Sequence, residues 1–287
     1  MQSPVIQAFF DENTFTASYV VADPDSRAAA VIDPVLDYDA ASGRTATHSA
    51  DRMLDYLEDQ QLRLDWILET HVHADHLTAA QYLKEALGGR TGIGKHVADV
   101  QGIFRDVFNT PALAADGSQF DELFEDNARI TIGSMEVCVW HTPGHTPACV
   151  SYLIGDAAFV GDTLFMPDFG TARTDFPGGS AGTLYESIQR LLSLPDETRL
   201  YLCHDYKAPG RDVFRWETTV AEQKDRNLHV RRGIGKNEFV EFRQRRDAEL
   251  GMPALILPSL QANMRSGRMP ETENNGVAYF KIPIDTL

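Results

Sequence analysis

The chain has 287 residues and a formal net charge of −16, because 42 acidic residues outnumber 26 basic ones. Such an acidic protein is not expected to bind nucleic acid, since proteins that follow a phosphate backbone need a basic surface. An anionic membrane surface is disfavoured as a partner for the same reason. Hydrophobic residues make up 43% of the chain, which is enough for the core of a globular protein.

The sequence gives no sign of a membrane or secreted protein. Its apolar runs are strand-sized, well short of the roughly 18 residues of a membrane-spanning helix. The opening MQSPVIQAFF lacks the basic and apolar regions of a signal peptide. Cys138, Cys149 and Cys203 are odd in number and widely spaced, so they do not suggest disulfides. We therefore expect a cytoplasmic protein whose cysteines serve in packing, with the Cys203 side chain pointing away from its neighbour His204.

In the first third of the chain, short apolar runs separated by turn residues predict strands, and apolar residues at helical spacing predict helices. Pro34 interrupts the third strand, and Gly88-Gly89 ends the second helix. The predicted elements are strands at 5–10, 17–22, 28–33 and 66–68, a polar loop at 37–48, and helices that begin at Ser49 and span 79–87.

The rest of the chain repeats this pattern and then changes character. The predicted elements are helices at 97–108 and 183–192, strands at 130–132, 137–140, 150–154, 158–160 and 200–203, helices at 218–228 and 237–250, and an irregular stretch from Met252. Two blocks of strands with helices between them indicate two β-layers flanked by helices. We expect a catalytic domain at 1–212 and a mainly helical and irregular C-terminal extension at 213–287 packed on it.

Residues 70–76 read Thr-His-Val-His-Ala-Asp-His and concentrate imidazoles in one short segment. In extended chain, His71 and His73 point to the same side and can converge on one point. The side chains of Asp75 and His76 are adjacent in sequence and must diverge, so they suit a position beside that point better than the same point. Burying these groups together is unfavourable without a cation. Imidazole nitrogen and carboxylate oxygen suit Zn, Fe or Mn, so the segment predicts a metal site.

Three later positions can complete that site. His145 follows a Pro-Gly turn, which can aim a side chain off the end of a strand. His141, before the turn, either supports the site or belongs to the core. Asp162 ends a strand beside Gly161, where its carboxylate could bridge two metals. His204 follows the strand at 200–203 and supplies the last imidazole.

The ordered motifs H-x-H-x-D-H, TPGHT, GD and a strand-terminal histidine resemble the metallo-β-lactamase superfamily over residues 5–210. This resemblance implies an α/β fold, a four-layer αββα sandwich with the metal site at one edge of its two sheets. In dinuclear members it implies two ligand sets that share one carboxylate. The first set is His71, His73, His145 and Asp162, and the second is Asp75, His76, Asp162 and His204.

A narrower resemblance is to the persulfide dioxygenases, relatives of the ethylmalonic encephalopathy protein and of glyoxalase II. It rests on ARTDF at 172–176, TLYESI at 183–188 and HDY at 204–206. The resemblance implies one Fe(II) per chain, held by His71, His145 and Asp162. Two histidines and one carboxylate leave positions on iron for O₂ and substrate.

This branch implies oxidation of a low-molecular-weight persulfide, such as glutathione persulfide, by O₂ to sulfite and thiol. Asp75, Arg173 and Tyr206 are the expected catalytic residues. Arg173 and Tyr206 would orient the substrate, unless Arg173 instead forms a salt bridge with Asp175. A homodimer is expected, and a sulfurtransferase that supplies the persulfide is a candidate partner.

The motif before Arg173 departs from the branch. The family usually has Gly-Cys-Gly there, whereas this chain has Gly170-Thr171-Ala172. The departure leaves the metal ligands intact but leaves the identity of the thiol carrier open.

Two other functions fit the same ligands. A glyoxalase II-like thioester hydrolase would use two Zn, Fe or Mn ions to generate a bridging hydroxide. A non-catalytic, metal-stabilised redox or persulfide sensor is the second alternative. A zinc β-lactamase fits less well, because no cysteine ligand can be placed. Ligand counting does not separate these possibilities, since all seven candidate ligands are present.

Overall fold

The computed structural model describes residues 3–286 and contains two six-stranded sheets and one three-stranded sheet. The strands are β1 (Val5–Asp11), β2 (Thr16–Ala22), β3 (Ala28–Ile32), β4 (Val35–Asp39), β5 (Arg44–Ala46), β6 (Arg63–Leu68), β7 (Leu77–Thr78), β8 (Arg90–Gly94), β9 (Glu122–Phe124), β10 (Ala128–Ile132), β11 (Met135–His141), β12 (Val150–Ile154), β13 (Ala157–Phe159), β14 (Arg199–Tyr201) and β15 (Glu217–Thr219).

Seven α-helices are found in the described part of the chain. They are α1 (His48–Asp59), α2 (Ala80–Leu87), α3 (Val97–Val107), α4 (Ala181–Leu192), α5 (Val220–Arg226), α6 (Lys236–Asp247) and α7 (Ile256–Asn263). Side-chain caps fix the starts of two of them. Ser180 accepts a hydrogen bond from the backbone of Thr183 at the start of α4, and Thr219 accepts one from Glu222 at the start of α5.

The two large sheets pack face to face around the main core. Their strand orders are β1-β2-β3-β6-β8-β9 and β10-β11-β12-β13-β14-β15. Along β2, Tyr19 and Val21 face the second sheet, where they join Val137 and Tyr152, whereas Val20 between them faces outward. This alternation is the two-residue period of a strand buried on both faces.

Helices cover both outer faces of the pair of sheets. Met53 of α1 and Leu83 of α2 pack on the outer face of the first sheet. Ile188 of α4 and Phe239 of α6 pack on the outer face of the second sheet, against Leu200 of β14. The predicted four-layer αββα sandwich is therefore confirmed.

Residues 213–286 contact the sandwich through β15, α6 and α7. Strand β15 pairs with β14 at the edge of the second sheet. Helix α6 lies against α4, and α7 lies against β7, next to the histidine-rich segment. Among the described residues, no helix combines the length and apolar character needed to cross a bilayer.

Several predicted boundaries were wrong. The segment predicted as a polar loop forms β4 and the short β5, which pair as a hairpin. Helix α1 starts at His48, so Ser49 lies inside the helix and is not its cap, and its backbone N–H and hydroxyl donate to the Asp37 carboxylate. The stretch from Met252 includes α7, although it was predicted to be irregular, and residues 217–219 form β15 before the next helix begins.

Candidate metal centre

The metal centre lies where several strands end at one edge of the sandwich. His71 and His73 follow β6, and His145 follows β11 after a short turn. Asp162 lies in a 3₁₀ turn (Gly161–Thr163) directly after β13, and His204 follows β14. Strands β13 and β14 run parallel, so their carboxyl ends deliver Asp162 and His204 to the same place.

Glycine is required at position 161. Its φ is +50°, and a Cβ there would lie 2.6 Å from the Thr70 hydroxyl oxygen. The turn that presents Asp162 can therefore pack closely against the start of the histidine-rich segment only without a side chain at this position.

Two imidazoles and one carboxylate face each other at the inner end of the site. The Nε2 atoms of His71 and His145 lie 4.0 and 3.7 Å from Oδ2 of Asp162. All three residues are buried. Their ligand atoms are close enough together to hold one ion. The structure thus brings together the three residues assigned to Fe(II) in the sequence.

Hydrogen bonds fix the orientation of both imidazoles. Nδ1–H of His71 donates to the Thr70 hydroxyl at 3.0 Å, and that hydroxyl donates to Oδ2 of Asp33 at 2.8 Å. Nδ1–H of His145 donates to the backbone carbonyl of Arg173 at 2.8 Å. With each Nδ1 committed as a donor, the Nε2 lone pair is the one directed at a metal.

A second group lies beside the first and comprises His73, Asp75, His76 and His204. Oδ2 of Asp75 lies 3.3 Å from Nε2 of His204 and 3.4 Å from Nδ1 of His76. Nε2 of His204 also lies 3.4 Å from Oδ1 of Asp162. The Asp162 carboxylate therefore stands between the two groups, as a bridging ligand would.

Buried residues outside the motif hold this segment in place. Nε2–H of His73 donates to Oδ1 of Asp33 at 3.0 Å, and the Glu69 carboxylate lies 3.3 Å from the same nitrogen. The side-chain amide of Asn263 in α7 donates to the backbone carbonyls of His73 and His76, at 2.8 Å each. His73 is thereby left with Nδ1 as its free nitrogen.

The imidazole nitrogens and the carboxylate oxygen that face the centre are buried and have no hydrogen-bond partner among residues 3–286. Each such buried orphan costs about 1–3 kcal/mol, so several at one point are unfavourable unless a cation satisfies them. Neutral imidazole and carboxylate match Fe, Zn or Mn. The residues present therefore fit a metal ion. The atoms are Nε2 of His71, Nδ1 of His73, Nε2 of His76, Oδ1 of Asp162 and Nε2 of His204.

The electrostatics of the two groups differ. Burial, reinforced by the neighbouring imidazoles, holds the pKa of His71 well below its ordinary value, which favours the neutral form that binds metal. Burial also lowers the pKa of His73 and of His204, but nearby carboxylates outweigh it, so both pKa values lie well above the ordinary value. Asp33 raises the pKa of His73, and Asp75 raises the pKa of His204.

Cys203 and His141, two residues close to the ligands in sequence, lie differently with respect to the metal centre. Cys203 was predicted to point away from the ligands, but its sulfur lies within 4.8 Å of ligand atoms of Asp162 and His204. That prediction was wrong because β14 ends at Tyr201, so strand alternation does not extend to Cys203. Burial raises the pKa of this thiol. His141 lies outside both groups, and its Nε2–H donates to the Pro147 carbonyl at 2.8 Å.

A cavity of about 470 Å³ opens onto the centre and is lined by Asp75, His145 and Asp162. Tyr206 also lines it and stacks on the His204 ring, with ring centroids 5.6 Å apart. Burial and the nearby carboxylates of Asp75 and Asp162 raise the pKa of the Tyr206 hydroxyl, so it keeps its proton and can donate.

Arg173 lines the same cavity, but its guanidinium is occupied. Nε and Nη2 donate to the Asp175 carboxylate, both at 2.6 Å, and Nη1 donates to the Gly251 carbonyl at 2.7 Å. The salt bridge with Asp175 is thus the role that the structure gives this side chain. Its backbone carbonyl is what contacts the metal centre, through His145.

Sequence reasoning did not single out several residues that the structure places around the site. Asp33 had a signal, because a carboxylate at a strand end before Pro34 is a plausible support for a site. Glu69 directly precedes the histidine-rich segment, whereas the others lie far away in sequence and carry no local motif. These others are His229, Arg243, Arg246, Asp247 and Asn263.

The model of the metallo-beta-lactamase superfamily matches residues 12–204. A probable metallo-hydrolase from Burkholderia pseudomallei is 52% identical over 98% of this chain and 99% of its own length. A beta-lactamase hydrolase-like protein from Xylella fastidiosa is 53% identical over the whole chain, which spans 66% of that protein.

The persulfide dioxygenase branch is represented among the relatives as well. Mitochondrial persulfide dioxygenase ETHE1 from Bos taurus is 31% identical over 92% of this chain and 89% of that protein. The crystal structure of ETHE1 from Myxococcus xanthus superposes with a TM-score of 0.73 and 32% identity, covering 92% of this chain and 100% of that one. The chain therefore belongs to the metallo-beta-lactamase superfamily, and the resemblance to its persulfide dioxygenase branch is confirmed.

Proposed function

We propose that the protein is an iron-dependent persulfide dioxygenase that oxidises a low-molecular-weight persulfide, with glutathione persulfide as the first candidate. The main support is the group of His71, His145 and Asp162, which opens onto the cavity. When Fe(II) is bound there, it supplies open positions for O₂ and for the terminal sulfur. The similarity to ETHE1 proteins supports the same reaction.

The overall reaction is R–S–SH + O₂ + H₂O → R–SH + SO₃²⁻ + 2 H⁺. The terminal sulfur loses its bond to the carrier sulfur and gains oxygen, and O₂ is the oxidant. The protein's own task is to hold the persulfide with its terminal sulfur inward and to limit the access of water.

The cavity walls suit this task. Phe165, Phe169 and Phe176 line it and give it apolar walls that disfavour water. The Tyr206 hydroxyl can donate a hydrogen bond to a sulfur atom of the substrate. With iron on His71, His145 and Asp162 alone, Nε2 of His204 would hold no metal, and it could share a proton with Oδ2 of Asp75, 3.3 Å away, for the departing thiolate.

The test combines metal analysis of anaerobically purified protein with an oxygen electrode. We expect close to one iron per chain and O₂ uptake with sulfite release when glutathione persulfide is added. Two zinc or manganese ions per chain, with thioester cleavage and no O₂ uptake, would overturn the proposal.

A glyoxalase II-like hydrolysis of hydroxyacylglutathione thioesters is the second candidate. The group of His73, Asp75, His76 and His204 favours it, because with Asp162 it could hold a second ion. Two ions held by these residues would supply the chemistry that activates water towards a thioester carbonyl. The same metal analysis, run beside a thioester hydrolysis assay, separates the two candidates.

A further inference from the structure

We propose that the outer part of the cavity is a carboxylate-binding subsite, in which the Arg246 guanidinium and the His229 imidazole hold a free carboxylate of the thiol carrier. Both residues line the same cavity as His145 and Asp162, and both lie beyond residue 204, where the match to the superfamily model ends. The inference rests on the proposed function in one respect, namely that the substrate is a small thiol derivative.

The hydrogen bonding of His229 makes its free nitrogen a donor. Its Nδ1 accepts the backbone N–H of Thr171 at 3.0 Å, so that nitrogen carries no proton. Burial, with Arg243 and Arg246 nearby, lowers the pKa of His229 to about 4. The neutral ring therefore keeps its proton on Nε2, which has no hydrogen-bond partner within residues 3–286.

His229 is seated by the segment in which this chain departs from the persulfide dioxygenases. Thr171 donates to it, and both Thr171 and Ala172 line the cavity. Gly170 has a φ of +107°, and a Cβ there would lie 2.2 Å from Nδ1 of His229. Glycine at 170 therefore lets the imidazole lie directly on the backbone.

Helix α6 is fixed to the same segment by a buried ion pair. Arg243 and Asp247 lie 2.8 Å apart, and Asp247 accepts the backbone N–H of Thr174 at 2.9 Å. Arg243 also donates to the Thr171 carbonyl at 3.1 Å. Residues three apart share a helix face, so Arg246 is brought to the cavity by the same contacts.

The Arg246 guanidinium is available to a ligand. Within residues 3–286 it faces only a distant carboxylate, that of Glu249 at 3.7 Å, and half of its side chain is exposed. The Arg173 and Arg243 guanidinium groups, in contrast, are paired with Asp175 and Asp247 at 2.6 and 2.8 Å.

The distribution of charge gives the cavity a direction. Asp75, His145 and Asp162 line the part of the cavity that faces the metal centre, and their ligand atoms belong to the groups that could hold an ion, so this part is left to the terminal sulfur. Arg246 and the donor of His229 lie on the wall contributed by the C-terminal part of the chain. On a chain with a net charge of −16, this local cation favours a carrier that has its carboxylate outward and its sulfur inward.

The test measures binding of S-methylglutathione, a thioether that carries both carboxylates, to the purified protein under nitrogen by titration calorimetry. We expect Arg246→Gln to weaken binding about tenfold or more, because a charge-assisted hydrogen bond is lost, and Arg246→Lys to restore part of it. His229→Phe removes the donor and should also weaken binding. Arg245→Gln is the matched control, since Arg245 is exposed and donates to the Glu241 carbonyl.

The second arm needs no variant. S-Methylglutathione dimethyl ester, in which both carboxylates are blocked, should bind the wild-type protein about as weakly as the acid binds Arg246→Gln. The proposal is overturned if the wild-type protein binds S-methylglutathione and its dimethyl ester equally well. It is also overturned if Arg245→Gln and Arg246→Gln have the same affinity for S-methylglutathione, or if the wild type does not bind S-methylglutathione. The result is independent of the oxygen-uptake test because no O₂ is consumed.

Discussion

The imidazole of His145 donates its Nδ1 hydrogen to the backbone carbonyl of Arg173 at 2.8 Å. A predicted metal ligand is thus oriented by the backbone of the segment 171–174. That segment is in turn held by α6, through hydrogen bonds from Thr174 to Asp247 and from Arg243 to Thr171. The geometry of the metal centre therefore depends on side chains from the C-terminal quarter of the chain.

The first prediction tests this dependence with Asp247→Asn. The change removes the charge opposite Arg243 and should loosen the segment that supports His145. Loss of a group that supports a ligand typically weakens metal binding by about 10–100-fold, and we expect a loss at the lower end of that range. Competition with a chelator measures it.

Asp225→Asn is the control for that variant. Asp225, in α5, forms an exposed ion pair with Arg232 at 3.2 Å and is not part of either ligand group or of the cavity lining. Its replacement should therefore leave metal affinity unchanged. If Asp247→Asn retains metal as tightly as the wild type while its melting temperature falls, the ion pair stabilises the fold without orienting the ligand.

The second prediction separates the two ligand groups. Asp162→Ala should abolish metal binding and activity together, because Asp162 faces both His71 and His145. Asp75→Ala should leave one iron bound, since Asp75 belongs to the second group, where it lies 3.4 and 3.3 Å from nitrogens of His76 and His204. Metal content per chain after anaerobic purification distinguishes them. An empty site in Asp75→Ala would rule out the mononuclear assignment.

Those parts of the fold that depend on local pattern could be predicted from the sequence. Apolar runs between turn residues gave most of the strands, and the histidine-rich segment was recognised because its residue types and spacing are local. Helix α7 was missed because Pro258 lies inside it, and β5 was missed because Arg44–Ala46 is polar and short.

The supports of the site could not be predicted, because they act over long separations. Asn263 contacts residues about 190 positions earlier, and nothing near position 263 signals this. Arg243 and Asp247 lie in the helix predicted at 237–250 without any motif that marks them, yet both are buried. Pairing across such distances follows from the tertiary fold, which brings α6 and α7 to the metal edge.

The third prediction concerns Asn263→Ala. The wild-type side chain accepts the backbone N–H of Thr78 and donates to the carbonyls of His73 and His76, all at 2.8 Å. Its removal leaves buried backbone groups without partners, so we expect unfolding to become easier by about 2–4 kcal/mol. Urea unfolding measures this change. Asn275→Ala, at an exposed position, should change stability by under about 0.5 kcal/mol.

The fourth prediction is that Gly170→Ala displaces His229. The new Cβ would overlap the ring, and the positive φ adds backbone strain. Gly210→Ala is the matched control, because its φ is +89° but no atom lies within 4 Å of the added Cβ. We expect Gly170→Ala to lower the free energy of unfolding by at least about 1 kcal/mol more than the control does. Equal losses would mean that the contact with His229 is unimportant.

The last prediction is a pH dependence of stability that originates in His229. Its pKa is about 4 in the folded protein against an ordinary value of 6.5. Between these pH values His229 binds a proton in the unfolded chain but not in the folded one. Its contribution to the free energy of unfolding is therefore fully present above pH 6.5 and is lost as the pH drops towards 4. The full shift would amount to about 3 kcal/mol, and partial exposure of the ring reduces this to about 2 kcal/mol.

Urea unfolding at pH 7.5 and pH 4.5 tests this contribution. The wild type should lose about 2 kcal/mol more than His229→Phe between the two pH values, since the other titrating groups are common to both proteins. His48→Phe, at an exposed position, should follow the wild type. If His229→Phe shows the same pH dependence as the wild type, His229 accepts a proton as readily in the folded chain as in the unfolded one. Its Nδ1 would then not be committed to the Thr171 amide, and Nε2 would lose its assignment as the neutral donor that faces the cavity.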